Sequence, residues 1–228
     1  RPHLTYQMTL KFKSLQVLIL EARKVINRFP LALLSAVVGT TAMVSLTGVH
    51  YSEREFLSQY VNLAMVCSLG ITLFLSLTVF AETKGFSARQ NGFLQAVGLL
   101  LLATYYFILP AELKTGDVYR FAMFNAALHL LVAIAPFILE EKQDGVFWQY
   151  NIALYMRIIT AFIYSVTLFV GLLVAILVVD NLFSLHINDK IYGNLWLVVT
   201  GVFNTWFFLG GVPRDIRNLR AGEYPKGL

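Results

Sequence analysis

The chain has 228 residues, 57% of them hydrophobic and only 14% charged, with a mean hydropathy of +0.67. Soluble domains carry about 25% charged residues, so this composition excludes an ordinary water-soluble globule and points to a single polytopic membrane bundle. The formal net charge of +5 does not indicate nucleic acid, because the basic residues flank apolar segments, as anionic lipid and membrane topology require.

Residues Leu4 to Arg28 come first in the chain. Leu15, Leu18, Ile19, Ala22, Val25, Ile26 and Phe29 recur at the spacing of one helical face, while Lys11, Lys13, Arg23, Lys24 and Arg28 carry charge. This pattern predicts an amphipathic helix over 1–28, lying at the membrane surface with its apolar face down. A helix packed on a soluble partner is the alternative. No cleavable signal peptide precedes the first long apolar run near Phe29.

Six spans follow. The first covers about Phe29 to Val49, with Pro30 where a first-turn proline is tolerated and Gly39, Ala42 and Ser45 spaced for close helix approach. The second runs from about Phe56 to Ala81, past Asn62 and Cys67. Cys67 is the one cysteine, so no disulfide forms within the chain. The third covers about Phe93 to Leu109 and ends at Pro110. The short loop from Glu112 to Asp117 predicts that the third and fourth helices are antiparallel neighbours. The fourth runs from about Val118 to Leu139, where Pro136 should kink it.

Charge then aromatics from Glu140 to Met156, including Phe147-Trp148-Gln149-Tyr150, predict a headgroup-level segment. The fifth span, Ile158 to Val179, has no charged residue across 22 positions, roughly 33 Å of helix against a hydrocarbon core of roughly 30 Å. The sixth runs from about Tyr192 to Val212, broken at Gly210-Gly211 and ended by Pro213. A basic tail, 214–228, closes the chain. With the first residue on the cytoplasmic side, 14 of the 18 lysines and arginines fall on that side and four, Arg54, Lys114, Arg120 and Lys190, on the other. The positive-inside rule then places both ends in the cytoplasm.

An ionisable group at membrane depth needs a partner or a purpose. Arg120 and Asp180 both fall near the outer ends of their helices and could pair there as part of a polar path; a structural ion pair, or snorkelling to the interface, is the alternative. His129 is the deepest ionisable residue and shares a helical face with Asn125, one turn away. Such a pair suits a proton relay or a ligand, since histidine titrates near neutral pH; a neutral histidine bonded between helices is the alternative. Asn181 joins Arg120, Asn125, His129 and Asp180 as a candidate polar path. Asn62, Asn204 and Tyr164 either line that path or bond across helices. Glu82, Glu140 and Glu141 read as solvated loop charge facing Arg157 and Arg214. The Gly210-Gly211-Val212-Pro213 break suits either a discontinuous transporter helix or a plain helix end. No catalytic motif, metal-ligand spacing or cofactor signature is present; His50 and His186, both near outer helix ends, make only a weak shared ligand pair.

Several stretches carry a family resemblance. They are Arg28-Phe29-Pro30, Phe80-Ala81-Glu82, Leu109-Pro110-Ala111-Glu112, His129 through Ala135-Pro136-Phe137, Phe147-Trp148-Gln149-Tyr150-Asn151, Asp180-Asn181-Leu182-Phe183, Thr205 through Gly210-Gly211-Val212-Pro213, and Tyr224-Pro225-Lys226-Gly227-Leu228. In this order they resemble a bacterial membrane-protein family catalogued only as a domain of unknown function, family forty-one fifty-three. The resemblance implies a bacterial inner-membrane location and no established activity, cofactor or catalytic residue. It also implies further helices after Leu228, since members continue past that element; Arg1 in place of Met likewise suggests part of a longer protein.

The reading is an all-α membrane protein: a six-helix transmembrane bundle with an N-terminal interfacial helix. Its partners are membrane lipids and, within the membrane, other proteins or further copies of itself. A permease-like bundle and a structural or accessory subunit of a larger membrane complex are the two functional classes it carries forward, with a slight lean to transport. A lipid-modifying enzyme has least support.

Overall fold

The computed structural model describes residues 15–48, 54–138 and 144–216. Regular structure among them is entirely helical: α1 (Leu15–Arg28), α2 (Pro30–Leu46), α3 (Arg54–Lys84), α4 (Ala88–Ile108), α5 (Thr115–Ile134), α6 (Asp144–Phe183), α7 (Lys190–Val198) and α8 (Asn204–Gly210). A 3₁₀ turn, Ala135–Phe137, follows α5, and a π turn, Val199–Phe203, joins α7 to α8. The expected start at Leu4, the turn at His50, most of the acidic stretch after Glu140 and the basic tail from Arg217 lie outside the described residues.

Local chemistry fixes the helix ends. Pro30 opens α2, where its missing N–H would have no intrahelical partner. Ser87 and Gln90 form a reciprocal capping box at the start of α4. At α5 the Asp117 carboxylate accepts from the Lys114 backbone N–H at 3.0 Å. Hydroxyls inside the spans turn back on their own helices: Ser35 donates to Leu31 O, Ser76 to Thr72 O and Thr167 to Ile163 O. Such back-bonding satisfies the hydroxyl donors locally, without help from another helix or from solvent.

Four stretches are long and apolar enough to cross a bilayer: 57–84, 88–108, 115–137 and 145–183. The bent pair α1–α2, turning by 99° between Arg28 and Pro30, adds a fifth if taken as one span. The π turn interrupts the last apolar stretch, but Val198 and Asn204 on either side keep helical dihedrals. Residues 190–210 therefore run as one rod, roughly 32 Å long.

α3 is the hub. Just over half of its apolar window, 56%, is buried, against 11% for α4 and α5 and 6% for α6. Close approach is built from glycines. A methyl group at Gly39 would lie 2.8 Å from Cys67 Cβ, one at Gly70 would lie 2.7 Å from Ser35 Oγ, and one at Gly98 would lie 2.7 Å from a Leu77 methyl. These close approaches let α2 and α4 pack onto α3. Gly201, in the π turn, sits directly against Thr40 of α2.

α4 and α5 touch one another through the Tyr105 and Phe124 rings, 5.4 Å apart, while both lean on α3. Two expectations change. Pro136 does not kink its helix. It sits buried in the 3₁₀ turn after α5 has ended, because a proline ring cannot continue the α-ladder. The aromatic segment before the fifth span is not an element separate from that span. It is the first turns of α6, whose 40 residues extend about 60 Å, twice the hydrocarbon thickness.

Candidate functional site

The densest polar arrangement gathers where α1, α3, α6 and α8 end together. A helix leaves its last carbonyls without intrahelical donors. At α8 three of these are taken up. Gly211 N donates to Phe208 O and Val212 N to Leu209 O. Phe207 O accepts from Arg157 Nη2 of α6 at 2.6 Å. Beyond the helix, Val212 O and Pro213 O accept from Arg28 Nη1 and Nη2 at 2.7 and 2.8 Å.

Arg28 also meets Glu82 of α3 side-on, Nε to Oε1 at 2.9 Å and Nη2 to Oε2 at 2.8 Å. Its planar fork suits a carboxylate bidentately. Four of its five N–H groups are thereby placed. The side chain is 9% exposed and that of Glu82 36%. Behind it lie Phe29, Val79 and Tyr150, all fully buried. The Tyr150 hydroxyl donates to Val132 O of α5 at 3.2 Å, and Asn151 Nδ2 reaches Ala133 O at 3.4 Å. Five helices, α1, α3, α5, α6 and α8, are thus fastened at one end.

Arg157 is the second clamp. Its guanidinium lies 4.3 Å from the centre of the Phe207 ring, a cation–π geometry. Gly211 must be glycine here, because a methyl group would occupy the space of the Arg157 side chain. Arg157 Nε is buried without a partner, and no carboxylate pairs with this arginine among the described residues.

The five residues of the candidate polar path are not brought together. Arg120 reaches Asp117, one turn back on its own helix, at 3.6 Å and does not pair with Asp180. Asp180 instead accepts from the Ile187 backbone N–H at 3.0 Å, closing the loop after α6. That loop reverses through left-handed Ser184 and His186. Asn181 donates to Leu177 O at 2.8 Å on its own helix and is exposed, beside a shallow groove lined by Val174, Leu177, Val178 and Leu182. His129 is exposed on the outside of α5, and its Nδ1 lies 2.8 Å from the backbone oxygen of Asn125. It bonds neither into a channel nor across to another helix.

Other polar residues do bond across helices. Asn62 Nδ2 donates to Pro110 O at 3.0 Å, Ser165 Oγ to Asn204 Oδ1 at 3.1 Å, and Thr47 Oγ1 to Asn194 Oδ1 at 2.9 Å. Tyr164 stacks on Phe207 with ring centres 4.9 Å apart. The Arg28–Glu82 pair is what sequence reasoning missed, since Glu82 read as loop charge. Its residues are 54 positions apart, and the available signal was that each sits where an apolar span meets the same basic side.

Comparison of the chain with protein-family models, with curated proteins and with solved structures finds no match in any of the three.

Proposed function

We propose that this chain is a six-span inner-membrane protein that works as a structural or accessory subunit of a membrane assembly. One observation carries the reading: of the polar residues that a permease would align, Arg120, His129, Asp180 and Asn181 spend their contacts on their own helices or loops, and His129 faces away from the bundle. What the fold concentrates instead is fastening. Two arginines secure the end of α8, while long apolar faces on α4, α5 and α6 are left uncovered.

The six spans follow if α2 and the rod 190–210 cross along with the four longer stretches. The 99° turn before α2 supports an α1 lying in the plane of the interface. The 14-to-4 split of basic residues supports a cytoplasmic location for the arginine-held end. Membership of family forty-one fifty-three, with its bacterial inner-membrane setting, belongs to the same proposal. Five of the stretches that carry the resemblance supply Arg28, Glu82, Pro136, Tyr150 and Val212 to this one end of the bundle.

Transport is the second reading. The π turn beside Thr40, with Asn204 bonded to Ser165 close by, favours it, because π turns recur at functional sites. The variants Thr40→Cys and Asn204→Cys, beside the π turn, separate the two. A subunit leaves both unreactive to membrane-impermeant maleimide from either side; a water-filled path makes them react.

A further inference from the structure

α5 meets α6 at the fastened end, where Val132 O and Ala133 O accept from Tyr150 and Asn151. Steps of three or four residues stay on one helical face. His129, Ala126, Asn125 and Ala122 therefore continue this face of α5 away from the crossing. On α6, Tyr155, Ile158 and Phe162 continue the face of Asn151. His129, Ala126 and Ala122 are exposed and Asn125 is half-buried, while Tyr155, Ile158 and Phe162 are exposed on the other wall. An open seam runs outward from the crossing between the two helices.

Two groups on the α5 wall have unused hydrogen-bonding capacity. The Asn125 backbone carbonyl can only accept, so His129 Nδ1 is the donor there, and the second ring nitrogen, Nε2, is left without a partner among the described residues. The Asn125 carboxamide, one turn away, has no hydrogen-bond partner among the described residues, so its N–H₂ is a free donor. His129 stands three residues from the midpoint of the 115–137 stretch, at mid-membrane depth. Lipid tails supply neither donor nor acceptor there, and ionisable side chains at that depth turn to a partner.

We propose that this face is a homodimer seam. A second copy, related by a two-fold axis along the membrane normal, lays its α5 into the opening between α5 and α6, and Asn125 of each copy donates to His129 Nε2 of the other. The face bears its own donor and its own acceptor one turn apart, so it is complementary to itself, as a two-fold interface requires. A face with an acceptor alone would need a different partner. Ala122, Ala126 and Ala133 surround the pair and let two backbones approach. The bare outer wall of α6 is covered by the same event. This rests on the assembly-subunit reading and names the partner.

The test uses the full chain, tagged at its C-terminus with donor or acceptor fluorophores, in phosphatidylcholine vesicles over a range of protein-to-lipid ratios. Energy transfer should report a dimer. His129→Ala and Asn125→Ala should each weaken it about ten-fold, from the loss of two modest membrane hydrogen bonds. The double variant should be no weaker than either single one, because both remove the same bonds. Ala126→Trp should abolish the dimer while leaving the monomer's melting temperature unchanged, since the position is exposed in the monomer. A wild type that stays monomeric at every ratio would overturn the seam, as would a dimer that survives Ala126→Trp. A dimer indifferent to both polar changes would overturn the Asn125–His129 pairing. A monomeric wild type whose Thr40→Cys and Asn204→Cys variants resist maleimide would overturn this seam and leave the subunit reading standing.

Discussion

Arg28 grips Glu82 across 54 residues of chain and, with the same guanidinium, holds the carbonyls of Val212 and Pro213. One side chain thereby binds the start of the bundle, the end of its central helix and the end of its last helix. Removing it leaves a carboxylate and two carbonyls without their donors. Arg28→Ala should lower unfolding stability by about 2–4 kcal/mol, read as a fall in the denaturation midpoint in detergent. Arg28→Lys should recover only part of this, since an ammonium lacks the fork.

Gly211 yields its side-chain space to Arg157. Gly211→Ala should push the guanidinium off Phe207 O and cost about 1–3 kcal/mol. Gly171→Ala is the control: nothing lies within 4 Å of a methyl group there, so its melting temperature should stay put or rise slightly through helix propensity. Equal losses at the two positions would contradict the Arg157 clamp.

Tyr150 should separate its hydroxyl from its ring. Tyr150→Phe removes one bond to Val132 O and should cost about 0.5–1.5 kcal/mol. Tyr150→Ala also opens a cavity beside Phe29 and Val79 and should cost about 3–5 kcal/mol. The comparison is made by thermal unfolding of the purified variants.

Gly201 of the π turn lies against Thr40. Gly201→Leu should part α2 from the last rod and reduce the yield of folded protein, whereas Gly193→Leu, in open space on the same rod, should not. Protease resistance in vesicles reports the difference.

Much of the helix order could be read from residues alone, because apolar runs of bilayer length and the prolines at 30 and 110 are local signals. Pro136 and Gly210 likewise lie at helix ends, although Pro136 stops α5 where a kink was expected. The length of α6 was hidden by composition: Trp148 and Tyr150 look like interface residues whether the helix begins before or after them. The candidate path was less legible. Spacing places His129 and Asn125 on one face, but a period says nothing of whether that face turns inward or out. By sequence Arg120 and Asp180 could meet near the outer ends of their helices, yet each found a nearer partner along its own chain. The Arg28–Glu82 pair was invisible for the converse reason, since nothing local links residues so far apart.

The central claim is a bundle standing in a bilayer with its arginine-held end in the cytoplasm, and a reporter scan tests it most directly. Fusions after Gly85 and after Gly145 should be active only with a cytoplasmic reporter, and fusions after Glu112 and after Asn188 only with an external one. Reporters at Gly85 and Glu112 active on the same side, or the reverse assignment at all four positions, would contradict it.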